Sequence, residues 1–399
     1  MMPRLLLFNP DNDLALGNNS PYYQPPATVK RMSGDLASLP FWWARDGDSV
    51  WTPLPDMEGL WDKQIPLRQD ISWKDDVGLD GFEGEICPWG WNIALRNKLL
   101  ERGVSLESLP TEDRLESIRQ VSSRKQAVEV LYDVVPSPWI CGRSICIRSL
   151  EELKEALDAL SMAGTESRFM LKAPWSGSGK GLRRSSRKPD DVVLNWCRRV
   201  LHIQQAVVVE PLYDRAADFA MEFYADGAGG VSFVGYSLFH SDSNGVYRGN
   251  RLVSDEEVVR NLSRYIPPKI LDEVRCFLEI RLVSLLQGRY KGYLGVDMMI
   301  CCFKDEPHYR LHPCVEINLR MNMGILSHTL YNRWILPGSN GWFHIDYFRN
   351  PVALASDHLK RKNAHPLVIE DGRIKEGYLS LVPLTEESCY RAYIEVVSG

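Results

Sequence analysis

Two apolar segments separated by a short polar turn constrain the fold more than any other part of the chain. Residues 293–303 and 309–319 are rich in aliphatic, aromatic and β-branched side chains, and residues 304–307 between them are polar or proline. This pattern predicts a β-hairpin. A hairpin so apolar belongs in a buried sheet, so charged residues within it need a compensating partner.

Four polar residues interrupt this hairpin. Asp297 lies in the first segment, and Glu316, Asn318 and Arg320 occupy every second position at the end of the next one. Alternation along a strand places the last three on one face. Depending on which residues close the turn, Asp297 lies opposite position 314 or Glu316, on that same face. The sequence therefore predicts that three oxygen ligands, from Asp297, Glu316 and Asn318, converge.

Two carboxylates and an amide oxygen are the ligand chemistry of Mg²⁺ (or Mn²⁺) rather than of Zn²⁺. Buried carboxylates are costly unless a cation neutralises them, and magnesium usually shares its coordination with phosphates. Arg320 is placed to hold a transferring phosphoryl oxygen or a substrate carboxylate. The competing interpretation is a strand with a solvated polar face, which the pattern at positions 316–320 alone does not exclude.

Composition describes an ordinary soluble protein of two or three domains. The 399 residues are 44% hydrophobic and 25% charged, with a net charge of -5, which does not favour a nucleic-acid partner. Because the sequence has no run of 18 apolar residues and its opening apolar stretch is short, we expect a cytoplasmic protein without a membrane partner. The nine cysteines include no CxxC pair, so we expect reduced packing residues and no zinc site.

A glycine- and serine-rich loop follows a predicted strand at 169–172. The loop carries Ser176, Gly177, Ser178, Gly179 and Lys180. Unobstructed backbone N–H groups beside Lys180 and the strand-terminal Lys172 suit phosphate oxygens. The segment is not a Walker A motif, because proline replaces the first required glycine and a glycine follows the lysine. A mobile linker is the alternative interpretation.

The N-terminal region offers two further features. Residues 9–13 form a polar turn after a short buried strand, a position where open α/β sheets bind ligands, although a solvated turn is equally compatible. Seven tryptophans lie between positions 42 and 91. They predict either a binding surface or, more often for this residue type, a core.

Periodicity and capping residues place the remaining elements. Helices are predicted over 92–102, 126–133, 151–162, 190–201, 256–264, 268–287 and 325–335, strands over 139–148, 206–209, 218–224 and 231–239, a polar loop over 240–251, and a β-rich tail.

Taken in order, several of these features resemble an ATP-grasp protein over about residues 115–330. They are Lys125 opening a helix, Lys172 before the loop, the strand-terminal segment 210–213 (EPLY), and Asp297 followed by 316–320 (EINLR). The resemblance implies an α/β ATP-grasp fold. It also implies an N-terminal α/β domain over 1–114, a nucleotide-binding subdomain over 115–225, a metal and catalytic subdomain over 226–345, and a β-rich C-terminal segment over 346–399.

The resemblance also implies roles for individual residues. Lys125 and Lys172 would contact nucleotide phosphates beneath the 175–181 loop, Glu210 and Leu212 would meet adenine largely through their backbone, and Asp218 would hold ribose. Asp297, Glu316 and Asn318 would bind Mg²⁺, and Arg320 would act with Lys172 on the transferring phosphate. The chain departs from the family pattern at Leu319, where proline is common, and in its unusually basic loop.

The first functional hypothesis is an ATP- and Mg²⁺-dependent ligase that activates a carboxylate as an acyl phosphate and joins it to an amine. Its substrates would lie near Arg320, and the candidate contacts are Arg248, Asn250, Asn9 and Asp11. The second hypothesis is a small-molecule kinase, for which His240 or Asp242 would be the general base. The third is a nucleotide-binding interaction protein without turnover. A homodimer remains open, because the sequence does not fix the oligomeric state.

Overall fold

The structure is a computed structural model that describes residues 3–54, 56–162, 168–177, 181–241 and 247–399. Three β-sheets and the helices between them make up these ranges. The predicted α/β fold class is therefore confirmed.

The first sheet is a parallel sheet at the N-terminus, as expected for an open α/β unit. Its order is β3-β2-β1-β4, and its strands are β1 (Arg4–Leu7), β2 (Ser49–Trp51), β3 (Ser72–Lys74) and β4 (Glu85–Pro88). Since β1 pairs with both β2 and β4 in parallel, the carboxyl ends of β1 and β4 lie side by side. The turn at 9–13 and the segment 89–92 therefore leave the same edge of the sheet.

The second sheet is small and antiparallel. Its order is β5-β8-β6-β7, with β5 (Ile145–Ile147), β6 (Arg168–Lys172), β7 (Leu182–Ser186) and β8 (Val207–Pro211). Two amphipathic helices, α7 (Leu150–Met162) and α8 (Asp191–Gln204), share an apolar core with it. The β6–β7 hairpin carries the glycine-rich loop at its tip.

The third sheet has nine antiparallel strands in the order β13-β12-β9-β10-β11-β14-β17-β16-β15. Its strands are β9 (Asp214–Asp226), β10 (Val231–Ser241), β11 (Tyr247–Leu252), β12 (Lys291–Cys302), β13 (Tyr309–Asn318), β14 (Asn340–Tyr347), β15 (Val368–Glu370), β16 (Arg373–Ser380) and β17 (Tyr390–Val397). The predicted domain boundaries at 225 and 345 fall within this one sheet, and the division into domains stays a prediction.

Helices pack against the sheets. They are α1 (Asn12–Asn18), α2 (Ala27–Asp35), α3 (Met57–Gln64), α4 (Ile93–Glu101), α5 (Glu112–Val121), α6 (Lys125–Asp133), α7 (Leu150–Met162), α8 (Asp191–Gln204), α9 (Asp255–Leu262), α10 (Pro268–Leu286), α11 (Met323–Trp334) and α12 (Pro351–Ala364). All the helices predicted from periodicity are present. Gly103, at φ +83°, follows α4 where the sequence predicted its stop.

Three predictions of local structure need correction. The strand predicted over 139–148 forms only at residues 145–147, as β5. The region 240–251 is not a polar loop throughout, because β11 begins at residue 247 and pairs with both β10 and β14. Burial in the middle of the large sheet outweighs the polar composition of this segment. The tail is not wholly β-rich either, because α12 spans 14 of its residues.

Two large apolar cores lie on the large sheet. Helices α9 and α10 pack with β9, β12 and β13 in one of them. The other joins N-terminal residues such as Trp42 and Trp61 to α11 and to β14, β16 and β17. The core interpretation is thus confirmed for Trp42, Trp61 and Trp89, which are buried. The other four tryptophans of this region are half-buried.

All nine cysteines lie in the described residues, and none of them forms a disulfide. Of the helices within the described ranges, none combines the length and the apolar character that crossing a membrane would require.

Candidate functional site

The predicted hairpin is present as strands β12 and β13, and its register explains how the polar residues meet. The turn closes with Phe303 N–H donating to the His308 carbonyl oxygen at 2.7 Å. A bulge then shifts the pairing, because three residues of β13, 313–315, lie opposite a single residue of β12, Met298. Pro313 lies in this bulge, where its missing N–H does no harm. Asp297 consequently pairs with Glu316, and the predicted hairpin is confirmed.

Asp297, Glu316 and Asn318 lie together on one face of the hairpin. Burial, and then the neighbouring Glu316 and Glu222, raise the pKa of Asp297 to about 8, although Asn318 hydrogen-bonds to it and opposes this shift. Crowded, partly desolvated carboxylates of this kind favour a cation. The donor set fits Mg²⁺ or Mn²⁺ as two carboxylates and one amide. No cluster of three or more His, Cys, Asp or Glu suited to a metal occurs in the described part of the chain.

Arg124 is a central residue of this site that the sequence did not identify. Its side chain is buried, and it lies 2.8 Å from Glu316 Oε1. It also donates to the Ala173 carbonyl oxygen at 2.8 Å and to Ser176 Oγ at 2.6 Å. Arg124 therefore connects the stem of the glycine-rich loop to the carboxylate pair.

Lys125, the residue predicted to contact phosphate, has a different environment. Its side chain is 42% exposed and lies 3.7 Å from Glu129, one turn further along α6. The available signal in the sequence was helical spacing, because Arg124 lies three residues before the buried Ala127 and so on the same face, whereas Lys125 lies two residues before it. The role of Lys125 at phosphates stays a prediction.

Lys172 reaches the hairpin from the small sheet. Its Nζ lies 2.5 Å from Glu210 Oε1 and 3.5 Å from the Val315 carbonyl oxygen, next to Glu316. Both members of the Lys172–Glu210 pair are buried. Burial raises the pKa of Glu210, with Lys172 acting in the opposite direction. The Leu212 N–H donates to the Arg168 carbonyl oxygen at 2.9 Å, and the predicted adenine contacts of residues 210 and 212 stay predictions.

The start of the glycine-rich loop is firmly anchored. Ala173 N–H donates to the Gly181 carbonyl oxygen at 2.9 Å, and the Trp175 backbone exchanges hydrogen bonds with the Gln204 side chain at 3.0 and 3.1 Å. Ser176 and Gly177 extend this stem beside Asp13. Ser178, Gly179 and Lys180 lie outside the described residues.

Arg320 forms an ion pair with a residue of the N-terminal turn. Its Nη2 donates to Asp13 Oδ2 at 2.7 Å, its Nε donates to Asp13 Oδ1 at 2.9 Å, and its Nη2 also donates to Asn318 Oδ1 at 2.9 Å. Burial alone would lower the pKa of Arg320, but Asp13 raises it. Asp13 was missed, although the sequence singled out the turn that contains it.

The two turn residues predicted to contact substrate, Asn9 and Asp11, make different contacts. Asn9 exchanges hydrogen bonds with the Gly90 backbone at 2.8 and 3.2 Å, and so fastens the ends of β1 and β4. Asp11 lines a separate cavity of about 630 Å³ with Lys98 and Tyr23. Burial raises the pKa of its carboxyl. Met321, next to Arg320, donates its N–H to the Trp89 carbonyl oxygen at 2.8 Å, one residue before Gly90. The substrate roles of Asn9 and Asp11 stay predictions.

Strand register places the remaining candidates. Asp218 lies opposite Met299, and hence on the face that carries Asp297. Asn250 pairs with Phe239, and Phe239 pairs with Asp218, so the side chain of Asn250 lies on the same face of the sheet as Asp218. Strand β11, which carries Asn250, is three strands from β12, a distance of about 14 Å. Arg248 alternates to the same face, whereas His240 alternates to the opposite face and stacks on Trp342. Asp242 lies outside the described residues.

Glu222 is a second acid that the sequence did not single out. It lies opposite Gly295 on β9 and is 1% exposed. It accepts hydrogen bonds from Ser237 Oγ and Asn322 Nδ2, each at 2.8 Å. Burial raises its pKa to about 7 despite these donors. The carboxyl therefore ties the first residues of α11 to the centre of the sheet.

Comparison with solved structures identifies the fold. No protein-family model matches the sequence, and no curated protein matches it significantly. An N5-carboxyaminoimidazole synthetase from Staphylococcus aureus is 12% identical, with a TM-score of 0.50 over 99% of this chain and 93% of that one. A biotin carboxylase from Campylobacter jejuni, in a β-γ-ATP complex, is 13% identical, with a TM-score of 0.50 over 99% of this chain and 87% of that one. The comparison therefore confirms the predicted ATP-grasp fold.

Proposed function

We propose that this protein is an ATP- and Mg²⁺-dependent ligase that activates a carboxylate as an acyl phosphate and joins it to an amine. One observation carries the proposal: Asp297, Glu316 and Asn318 meet Lys172 and two arginines beside the stem of a glycine-rich loop. Mn²⁺ could replace Mg²⁺ with the same ligands. The fold supports the proposal, because the biotin carboxylase that shares it is in complex with β-γ-ATP.

The chemistry needs no side-chain nucleophile. A substrate carboxylate oxygen attacks the γ-phosphorus, the bond to the β–γ bridging oxygen breaks, and ADP leaves with that oxygen. An amine then attacks the acyl carbon, the bond to the phosphate oxygen breaks, and phosphate leaves while the nitrogen loses a proton. Both steps gain mainly from positioned charge and in-line geometry.

The residues of this chain divide that work. Lys172 and Arg320 would neutralise charge on the transferring phosphoryl group, and Arg124 would join them from the loop stem. Asp297, Glu316 and Asn318 would hold the metal ion, which lowers repulsion between the phosphates and the incoming carboxylate when bound. The further assignments to Glu210, Leu212, Asp218 and the 176–180 loop enter the proposal unchanged. Lys125 enters it only as a secondary phosphate contact, because its side chain is 42% exposed and lies beside Glu129.

The kinase hypothesis is the weaker candidate because His240, the one of its two candidate bases that the structure describes, does not face the proposed metal ligands. His240 faces away from the carboxylate pair and stacks on Trp342 at 5.0 Å between ring centroids. Ligation needs no such base at the first step. An amide product would support the ligase, whereas a stable phosphoester would support the kinase.

The experiment is a mass-spectrometric screen of the purified protein with ATP, Mg²⁺ and pooled acids and amines. We expect ADP and a new amide. Glu316→Ala and Lys172→Ala should each abolish turnover, while Lys375→Ala, which breaks an exposed pair with Glu370, should not. Near-normal turnover in either site variant contradicts the proposal, and release of AMP instead of ADP indicates adenylation.

A further inference from the structure

The ion pair between Asp13 and Arg320 joins two separate parts of the fold at the candidate site. Asp13 belongs to the first turn of α1, after the N-terminal sheet, and Arg320 follows β13. Three hydrogen bonds of 2.7 to 3.1 Å link the two side chains, which are 20% and 17% exposed. Arg320 also contacts Asn318, so it lies at the edge of the proposed metal ligands.

The space beside this pair is nearly filled. The hollow bounded by Asp13, Ser176, Glu316 and Asn318 has a volume of about 10 Å³, which is room for about one water molecule. Asp13 occupies the Nε–Nη2 edge of the Arg320 guanidinium, and Nη1 donates to the Met321 carbonyl oxygen at 3.3 Å. A substrate carboxylate that binds this edge of Arg320 must therefore take the place of Asp13.

The charges that the substrate must carry follow from the charges left unpaired when it displaces Asp13 from Arg320. A plain carboxylate would release Asp13 as an uncompensated anion close to Glu316 and Asp297, and the phosphates of ATP would add to the repulsion. A cation alone would pair with Asp13 but would leave Arg320 without its carboxylate. A ligand that carries both charges replaces each partner and leaves no charge unpaired.

We propose that the Asp13–Arg320 pair is the binding site for an α-amino acid, with its carboxylate on Arg320 and its ammonium group on Asp13. This inference rests on the proposed ligase function and names the substrate that is activated. The two charged side chains are in direct contact before binding, so the complementary groups of the ligand must lie close together. An α-amino acid meets this requirement because its ammonium and carboxylate groups flank a single carbon.

Calorimetry with paired ligands tests the site without any need for turnover. The probes are the common α-amino acids and, for each, the same acid without its amino group. We expect the wild type to bind at least one amino acid about 10- to 100-fold more tightly than its des-amino counterpart, as for a hydrogen bond between charged groups. Asp13→Asn should remove this preference, and Asp13→Glu should restore part of it.

Asp48→Asn is the matched control, because Asp48 also forms a buried pair with an arginine, Arg4, but lies away from Arg320. It should keep the preference of the wild type. The inference is wrong if the wild type binds no amino acid at about millimolar concentration, if it binds des-amino acids equally well, or if Asp13→Asn retains the preference while its thermal unfolding matches that of the wild type.

Measuring ADP and amide formation in the same samples separates this inference from the ligase proposal. Turnover with des-amino acids and no preference for amino acids would overturn the amino-acid site and leave the ligase standing. Amino-acid binding that depends on Asp13, without ADP or amide, would support the site and overturn the ligase.

Discussion

At the residue scale, neighbouring residues of the same charge have different environments. Arg124 is buried against Glu316, whereas Lys125 is 42% exposed and pairs with Glu129. Asp13 binds Arg320, whereas Asp11 faces another cavity. In each case the side chain's direction, not its chemistry, decides which residue belongs to the site.

The first prediction compares the two cations of α6. Arg124→Gln should lower kcat/KM for ATP by about 100- to 1000-fold, the usual loss when one charge-stabilising contact is removed. Lys125→Gln should cost less than about 10-fold, because its ammonium group lies in solvent beside Glu129. Steady-state kinetics on both variants provides the measurement. A larger loss for Lys125→Gln would restore Lys125 as the principal phosphate contact.

The second prediction concerns Glu222 and pH. Its folded-state pKa of about 7 lies above the ordinary value of 4.5, so the folded protein keeps a proton that the unfolded chain loses between these values. The free energy of unfolding should therefore fall as pH rises from about 4.5 to 7. The penalty at pH 8 is at most about 3 kcal/mol, from the size of the shift.

Glu222→Gln should remove this penalty. Denaturant unfolding in a metal chelator should show the variant to be more stable than the wild type at about pH 8, with a difference that shrinks towards about pH 5. Glu58→Gln, at an exposed position of α3, serves as the control and should show no such trend. A difference for Glu222→Gln that stays constant with pH would contradict the assignment.

At the scale of elements, the site depends on how α11 begins. Asn322 caps this helix by accepting from Ile325 N–H at 2.9 Å, and its side-chain amide donates to Glu222. Gly324 follows in the first turn and lies against Glu222 and Ser237 so closely that a Cβ there would overlap both side chains. The glycine is required by this close approach and not by its backbone conformation.

The third prediction compares two glycines in helices. Gly324→Ala should destabilise the protein by about 2 kcal/mol through overpacking, despite the better helix propensity of alanine. Gly34→Ala in α2 should stabilise it by about 0.5 kcal/mol, because a Cβ there meets nothing within 4 Å. Denaturant unfolding of both variants is the measurement. Equal effects at the two positions would show that propensity, not packing, decides.

At the scale of the whole molecule, an aromatic core joins the N-terminal and C-terminal regions. Trp42 is fully buried, and its Nε1 donates to the Leu381 carbonyl oxygen at 2.6 Å. Trp334 of α11 packs edge-on against it at 5.3 Å between ring centroids and donates to the Trp42 carbonyl oxygen. These contacts hold the segment around Trp42 against α11, which begins three residues after Arg320.

The fourth prediction tests this joint. Trp42→Ala should cost about 3–5 kcal/mol, the usual range for removing a buried tryptophan. It should also weaken ligand binding at Arg320, because α11, which packs on Trp42 through Trp334, begins three residues after Arg320. Trp43→Ala, at a half-buried neighbour, should cost less than half as much. Chemical denaturation measures both, and similar losses would mean that Trp42 has no special role in joining the regions.

Much of this protein is determined by local sequence. The hairpin follows from two β-rich segments around a polar turn, and α4 follows from its Asn92 cap and the glycine after its end. The shared face of Glu316 and Asn318 also follows, because alternation along a strand is a local property. The order of the lysines, the loop and the carboxylates was enough to predict the ATP-grasp fold.

Only the tertiary structure decided which residues contact one another at the site. The β13 bulge selected the pairing of Asp297 with Glu316, and strand β11 formed from a polar segment because the sheet around it buries it. The site depends on contacts between residues that are far apart in the chain. Arg124 and Glu316 are 192 residues apart, Asp13 and Arg320 are 307 residues apart, and Glu222 and Asn322 are 100 residues apart. Such contacts depend on how separate elements pack, and no spacing within a single segment encodes that.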